Sequence, residues 1–340
     1  MELKFKDTLI LKGIAICCML WHHLFLNTIE YGIWANYLAV LGKICVSIFL
    51  FISGYGLTKQ FSVKYSNLTA KIQVNRMFPF ILNRFVKFYL SYWFCFVVII
   101  LIGNLLGYSL QEAYPTNRNI MKCLLLDGLG IMGYSSYLST WWFNKLIILL
   151  YLTFPLLYIC IRNKIVAIVS VVIAMVLEQF SLLNIFYVLE GGLFAFMLGM
   201  FVAKHNIHII RVKHINFDSI LLILMFFALI FVRFYYPAIR FTIIDSFLAI
   251  ILSYFVLKLS NRCELRLLSF LGENATVMYL IHTLFIILLP YFLYYTRIPI
   301  LIFVSLLLLT LGSSLIIKYI QKKIGYNKLI STITNKINNF

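Results

Sequence analysis

Apolar runs of about twenty residues recur along nearly the whole of this 340-residue chain, each long enough for a helix to cross the roughly 30 Å hydrocarbon core of a bilayer. No water reaches that core, so every backbone N–H and C=O must be satisfied within the segment, and helices are the economical solution. Hydrophobic residues at 63% and charged residues at 12% leave too little polar surface for a water-soluble fold. The net charge of +18 does not point to nucleic acid, because the basic residues flank the apolar runs, where membrane topology and anionic headgroups account for them.

The runs and their polar breaks predict an all-α polytopic membrane protein with ten transmembrane helices, near 9–29, 36–58, 88–107, 141–161, 164–181, 185–204, 216–233, 239–259, 267–295 and 299–318. With the N-terminus inside, 21 of the 29 lysines and arginines fall on the cytoplasmic side, five fall outside, and Lys12, Lys43 and Lys145 lie within spans. That asymmetry predicts an N-in, C-in protein of the cell membrane. The first run carries interior charge and no small-residue cleavage pattern, so it reads as a retained helix. Without repeats or Gly/Ser-rich linkers, residues 1–340 read as a single membrane domain: a bundle over about 9–318, a Lys-rich cytoplasmic tail over 319–340, and no soluble domain beyond it. The seven cysteines show no CxxC spacing and are expected to be small apolar filler, with no metal.

Within the first span, "LKGIAICCMLWHHLF" (11–25) carries Lys12, His22 and His23. At 100° per residue, Lys12 and His23 share one helix face, separated by about 16 Å along the axis, while His22 points elsewhere. By itself the pattern fits a functional face equally with a lysine snorkelling to the headgroups and a histidine bonded to a neighbouring helix. Topology assigns depths to the other intramembrane polar groups. His282 falls at about the depth of His23, and Lys43, Lys145, Glu178, Glu190 and Asp245 all fall on the outer side. One shared layer of charge predicts a polar cavity opening outward, with these groups pairing around it in combinations the sequence leaves open. Toward the cytoplasm, Arg84 and Lys87 lie three apart on one helical face, suited to anionic phosphate. In the outer loop 108–140 and just beyond it, Tyr114, Tyr134, Tyr137, Trp141 and Trp142 read either as an interfacial aromatic belt or as faces for sugar rings.

Five stretches together resemble the acyltransferase-3 family of integral membrane acyltransferases, over about residues 5 to 320. The family's arginine, ten residues, then histidine falls on Lys12 and His23. "SIFLFISGYGL" (47–57) is similar to its Phe-rich segment ending in Ser-Gly-aromatic, and "NRFVKFYL" (83–90) to its Arg-x-x-Arg-x-Tyr-Pro stretch. "WWFNKLIILLYLTFPLL" (141–157) resembles its Trp-led helix, with Trp142, Tyr151 and Pro155; "LGENATVMYLIHTLF" (271–285) resembles its late Tyr-Leu-x-His helix, with Tyr279 and His282. This chain departs from the pattern at Lys12, a point charge where the family has a bidentate arginine, and at Leu90 for proline. Ser47 and Ile147 stand where many members have acids, which matters to any mechanism that needs those acids.

The resemblance implies a ten-helix bundle that takes an acyl group, usually acetyl, from cytoplasmic acetyl-CoA as co-substrate and places it on a hydroxyl of a surface polysaccharide or its lipid-linked precursor. It implies catalytic roles for His23, as general base or transient acyl-imidazole, and for His282, which either orients His23 or the acceptor or makes a structural interhelical hydrogen bond. Lys12, Arg84 and Lys87 would hold the donor. Trp142, Lys145, Glu178 and Glu190 would line the acceptor side, with Lys145 and backbone amides near Gly54 as candidate oxyanion donors. Expected partners are the glycan or lipid-linked sugar and membrane lipid, with oligomerisation open. The rival readings are a glycan or lipid transporter or flippase whose buried charges line a path, and a sensor that keeps the fold without the chemistry.

Overall fold

A computed structural model describes residues 2–114, 119–181, 191–205, 215–236, 238–260 and 263–338. Among them every regular element is helical. In chain order these are α1 (Phe5–Phe25), α2 (Ile33–Gly42), α3 (Ile44–Lys64), α4 (Ala70–Leu105), α5 (Leu110–Ala113), α6 (Ile120–Gly128), α7 (Trp142–Cys160) and α8 (Lys164–Gln179). They continue with α9 (Leu193–His205), α10 (Ile215–Tyr235), α11 (Phe241–Ser260), α12 (Arg266–Leu288), α13 (Pro290–Leu293), α14 (Pro299–Lys323) and α15 (Tyr326–Asn338). Two short 3-10 turns, Gly133–Ser135 and Ser139–Trp141, lie between α6 and α7.

Among the described residues seven helical stretches are long and apolar enough to cross a membrane, counting α2 and α3 as one. The two are separated only by Lys43, whose backbone stays near helical values, so the 32 residues form one apolar helix interrupted at a charged position. Each of the ten expected segments overlaps a helix, residues 185–190 of the sixth lying outside the described residues. The described residues support fewer than ten full crossings, since α8 has 16 residues and α9 has 13, shorter than a straight crossing of the bilayer core. Two stretches expected as connection and tail are helical instead. α4 begins at Ala70 and tolerates Pro79 inside its 36 residues, and so carries Arg84 and Lys87 within the helix. Beyond Gly325, whose φ of 72° ends α14, the tail folds back as α15. It lies along α4, with the Tyr326 hydroxyl donating to Leu90 O at 2.7 Å and Asn83 Nδ2 to Thr334 O at 3.5 Å.

Contacts gather into two compact units, each assembled from three separate stretches of chain. The first comprises Met1–Cys18, Gly42–Asn67 and Phe154–Glu273; the second comprises Met19–Leu41, Leu68–Thr153 and Asn274–Phe340. In the first unit, helices meet at glycines. A methyl group added to Gly54 on α3 would run into the Phe196 carbonyl of α9, and one added to Gly199 on α9 into the Phe51 carbonyl of α3. Gly13 and Gly272 make the same reciprocal contact against the carbonyls of Leu268 and Leu9. Where lipid supplies no hydrophobic drive, such approach gains dispersion contacts that larger residues would prevent.

The second unit is centred on aromatic rings with polar tips, among them Tyr92, Tyr114, Tyr137 and Trp141, all buried. At their centre lies Asp127, fully buried at the end of α6. Its Oδ2 accepts from the Tyr114 hydroxyl at 2.9 Å and the Tyr137 N–H at 2.6 Å, and its carbonyl accepts from the Tyr92 hydroxyl at 2.7 Å. Burial holds the Asp127 carboxyl above the usual carboxylate range, with the Tyr137 and Tyr114 donors pulling the other way. These bonds tie Tyr114 and Tyr137 to Asp127, so Tyr114, Tyr137 and Trp141 are core residues rather than exposed faces.

Candidate active site

The carboxyl end of α1 and the middle of α12 bring three imidazoles together within the second unit. The His23 and His282 ring centroids are 4.9 Å apart at 42°, and His22 stands edge-on to His23 at 5.0 Å. His22 is buried, and its Nδ1 donates to Ala39 O at 2.6 Å, which pins it against α2. His23, one residue on and therefore about 100° around the helix, is half-buried.

His282 is fully buried, and both its nitrogens are engaged. Nδ1 lies 2.7 Å from Tyr279 O and Nε2 lies 3.1 Å from Thr283 Oγ1. Thr283 Oγ1 is in turn 2.8 Å from Thr140 Oγ1, and the Tyr279 hydroxyl donates to Thr140 O at 2.9 Å. Trp141 Nε1 donates to Leu280 O at 2.9 Å, which locks the turn Ser139–Trp141 onto α12. Of this ring pair, His282 is fully buried and His23 is partly accessible.

Lys12 is half-buried, on the same continuous helix as His23 but eleven residues earlier, about 16 Å along the axis. Arg84 is half-buried with its guanidinium 5.4 Å from the Phe80 ring, and Lys87 is exposed one turn further along α4. Trp142 is half-buried and stacks on the exposed Tyr134 at 5.4 Å and 22°, leaving this pair as the accessible aromatic surface of that region. Lys145, half-buried one turn beyond Trp142, runs its stem past Gly133.

The expected ring of outer charges resolves into separate contacts. Asp245 pairs with Arg233, through Nε at 2.6 Å and Nη2 at 3.2 Å, both side chains almost wholly buried, while the Lys43 ammonium lies 4.5 Å from the centre of the Phe241 ring. Glu178 is buried on α8, where its Oε2 accepts from the Phe194 N–H in the first turn of α9, a helix-capping contact that suits an anion. Glu190 lies outside the described residues. Gly54 is corrected as an oxyanion donor: it sits mid-helix in α3, where backbone amides bond the carbonyl four residues back, and its missing side chain serves the α9 crossing.

Thr140, Thr283, His22 and Asp127 were not singled out from the sequence as site or core residues. A threonine beside the Trp pair and another beside His282 carry no pattern of their own, and a lone Asp in a polar loop is ordinary. A family model described as an acyltransferase domain, of the acyltransferase-3 type, matches residues 10–319. No curated protein and no solved structure matches the chain.

Proposed function

Because the chain belongs to the acyltransferase-3 family, we propose that it is a cell-membrane O-acetyltransferase, moving acetyl from cytoplasmic acetyl-CoA to a hydroxyl of a surface polysaccharide or its lipid-linked precursor. The observation that carries this reading is the histidine pair: half-buried His23 stands 4.9 Å from a fully buried His282 whose own nitrogens are occupied. In this reading the partly accessible His23 is the base and the buried His282 its support. In the proposed step, His23 takes the proton of a sugar hydroxyl as its oxygen attacks the thioester carbonyl. The tetrahedral intermediate collapses with cleavage of the C–S bond, and the departing thiolate recovers the proton from the imidazolium, giving the ester and free CoA. A neutral imidazole is matched to this exchange near pH 7.

In this reading both termini lie inside, Arg84 and Lys87 take the donor's phosphates from the cytoplasmic side, and the thin pantetheine arm reaches His23. The stacked Tyr134 and Trp142 offer a face to a sugar ring, and Lys145 a donor for the developing oxyanion. The test uses purified full-length protein with radiolabelled acetyl-CoA and a glycan acceptor. His23→Ala is expected to lower acetyl transfer by about a hundredfold or more, with the protein still folded. Acceptor movement without donor consumption, or unchanged turnover in His23→Ala, overturns the proposal. Mass spectrometry of surface glycans from cells with and without the protein identifies the hydroxyl modified.

A further inference from the structure

The hydrogen bonds around His282 run in one sense only. Tyr279 O can only accept, so the proton of a neutral His282 ring sits on Nδ1 and Nε2 is a bare acceptor. Thr283 therefore donates its hydroxyl hydrogen to Nε2, and its oxygen is left to accept from Thr140. The opposite tautomer would set a bare Nδ1 against a carbonyl 2.7 Å away, two acceptors facing each other. A helical threonine ordinarily donates to the carbonyl four residues back. For Thr283 that carbonyl is Tyr279 O, which already receives the Thr283 N–H of α12 and His282 Nδ1. The Thr283 hydroxyl is thereby turned toward the imidazole, and the Tyr279 hydroxyl closes the circuit by donating to Thr140 O.

We propose that Thr283, oriented by Thr140, is a positioning residue that fixes the rotamer of His282 by donating to its bare Nε2, and through that ring holds His23 in its reactive orientation. The proposal rests on the reading of His23 as the base. Thr283→Val keeps the shape but removes the donor, leaving Nε2 of a fully buried ring without its partner. The ring then tilts to recover a donor, and His23, packed on it, tilts too. Thr283→Ser keeps the hydroxyl. Thr140→Val leaves the Thr283 donor in place and removes only its orientation.

The test compares wild type, Thr283→Val, Thr283→Ser and Thr140→Val as full-length protein in nanodiscs. In acetyl transfer, Thr283→Val is expected to lower kcat about tenfold at unchanged KM for acetyl-CoA, the scale of one buried hydrogen bond. Thr283→Ser is expected to stay within about twofold of wild type, and Thr140→Val to fall between. In parallel, 15N-histidine NMR reads the six histidines, with His23→Gln and His282→Gln used only for assignment. Wild type should show His282 protonated on Nδ1, and Thr283→Val should keep that proton but shift the His282 Nε2 resonance, which loses its donor, and the His23 resonances. Wild-type kcat in Thr283→Val, serine as damaging as valine, or unmoved His282 and His23 resonances each overturns the proposal. If wild type consumes no acetyl-CoA in a His23-dependent way, the base assignment fails, while the NMR arm still decides whether Thr283 orients the pair.

Discussion

The two units solve one problem by different means. In the first, pairs of glycines let backbones touch, Gly54 with Gly199 and Gly13 with Gly272, so cohesion comes from close van der Waals approach. In the second, Tyr92, Tyr114, Tyr137 and Trp141 fill the interior and aim their polar tips at Asp127 and at backbone carbonyls. Dispersion sets distance and tolerates rotation of side chains; hydrogen bonds set direction. The imidazole pair lies in the unit held by directional bonds, where the proposed base would have its orientation set.

The largest expected effect breaks the comparison at its exception, the buried Arg233–Asp245 ion pair of the glycine-packed unit. Asp245→Asn leaves Arg233 buried without its charge partner and should cost about 3–5 kcal/mol, read as loss of folded protein by thermal unfolding in detergent. A stability near wild type would mean the pair is solvated and the unit is not held as described. Next, Gly199→Ala drives a methyl group into the Phe51 carbonyl of α3, for about 1–3 kcal/mol, whereas Gly56→Ala on α3 itself meets nothing and should be neutral or stabilising. Equal effects at the two glycines would remove the distinction between crossing and non-crossing positions.

The smallest effect sharpens the comparison on the polar side and depends on pH. Burial raises the Asp127 carboxyl above its unfolded value, so the folded state binds the proton more tightly than the unfolded chain. Its contribution is fully present below the ordinary carboxylate range and is lost as pH rises through the raised folded value. The difference in melting temperature between Asp127→Asn and wild type should therefore move in favour of the variant as pH rises from about 4 to about 7. Parallel melting curves across that range would show that Asp127 is stabilised as the anion.

How legible the molecule was depends on the range of the interaction. The late Tyr-Leu-x-His stretch and the first helix mark His282 and His23 separately, and reasoning from depth brings them to one layer; their ring contact agrees with that placement. The pairing of Asp245 escaped the same reasoning, because depth alone does not choose between Lys43 and Arg233, and the helix connection at Phe241 turns Arg233 onto it instead. Arg84 and Lys87 were read on one helical face, but α4 starts well before them, since a polar, basic stretch can remain helical when α15 covers one of its sides.

From the sequence alone came the helical class, the membrane as solvent and the family, because apolar runs and motif spacings are properties of neighbouring residues. The orientation of the imidazoles was decided only in three dimensions. Thr140 and Thr283 are 143 residues apart, and a hydrogen bond between them exists only once α12 and the turn ahead of α7 are packed side by side.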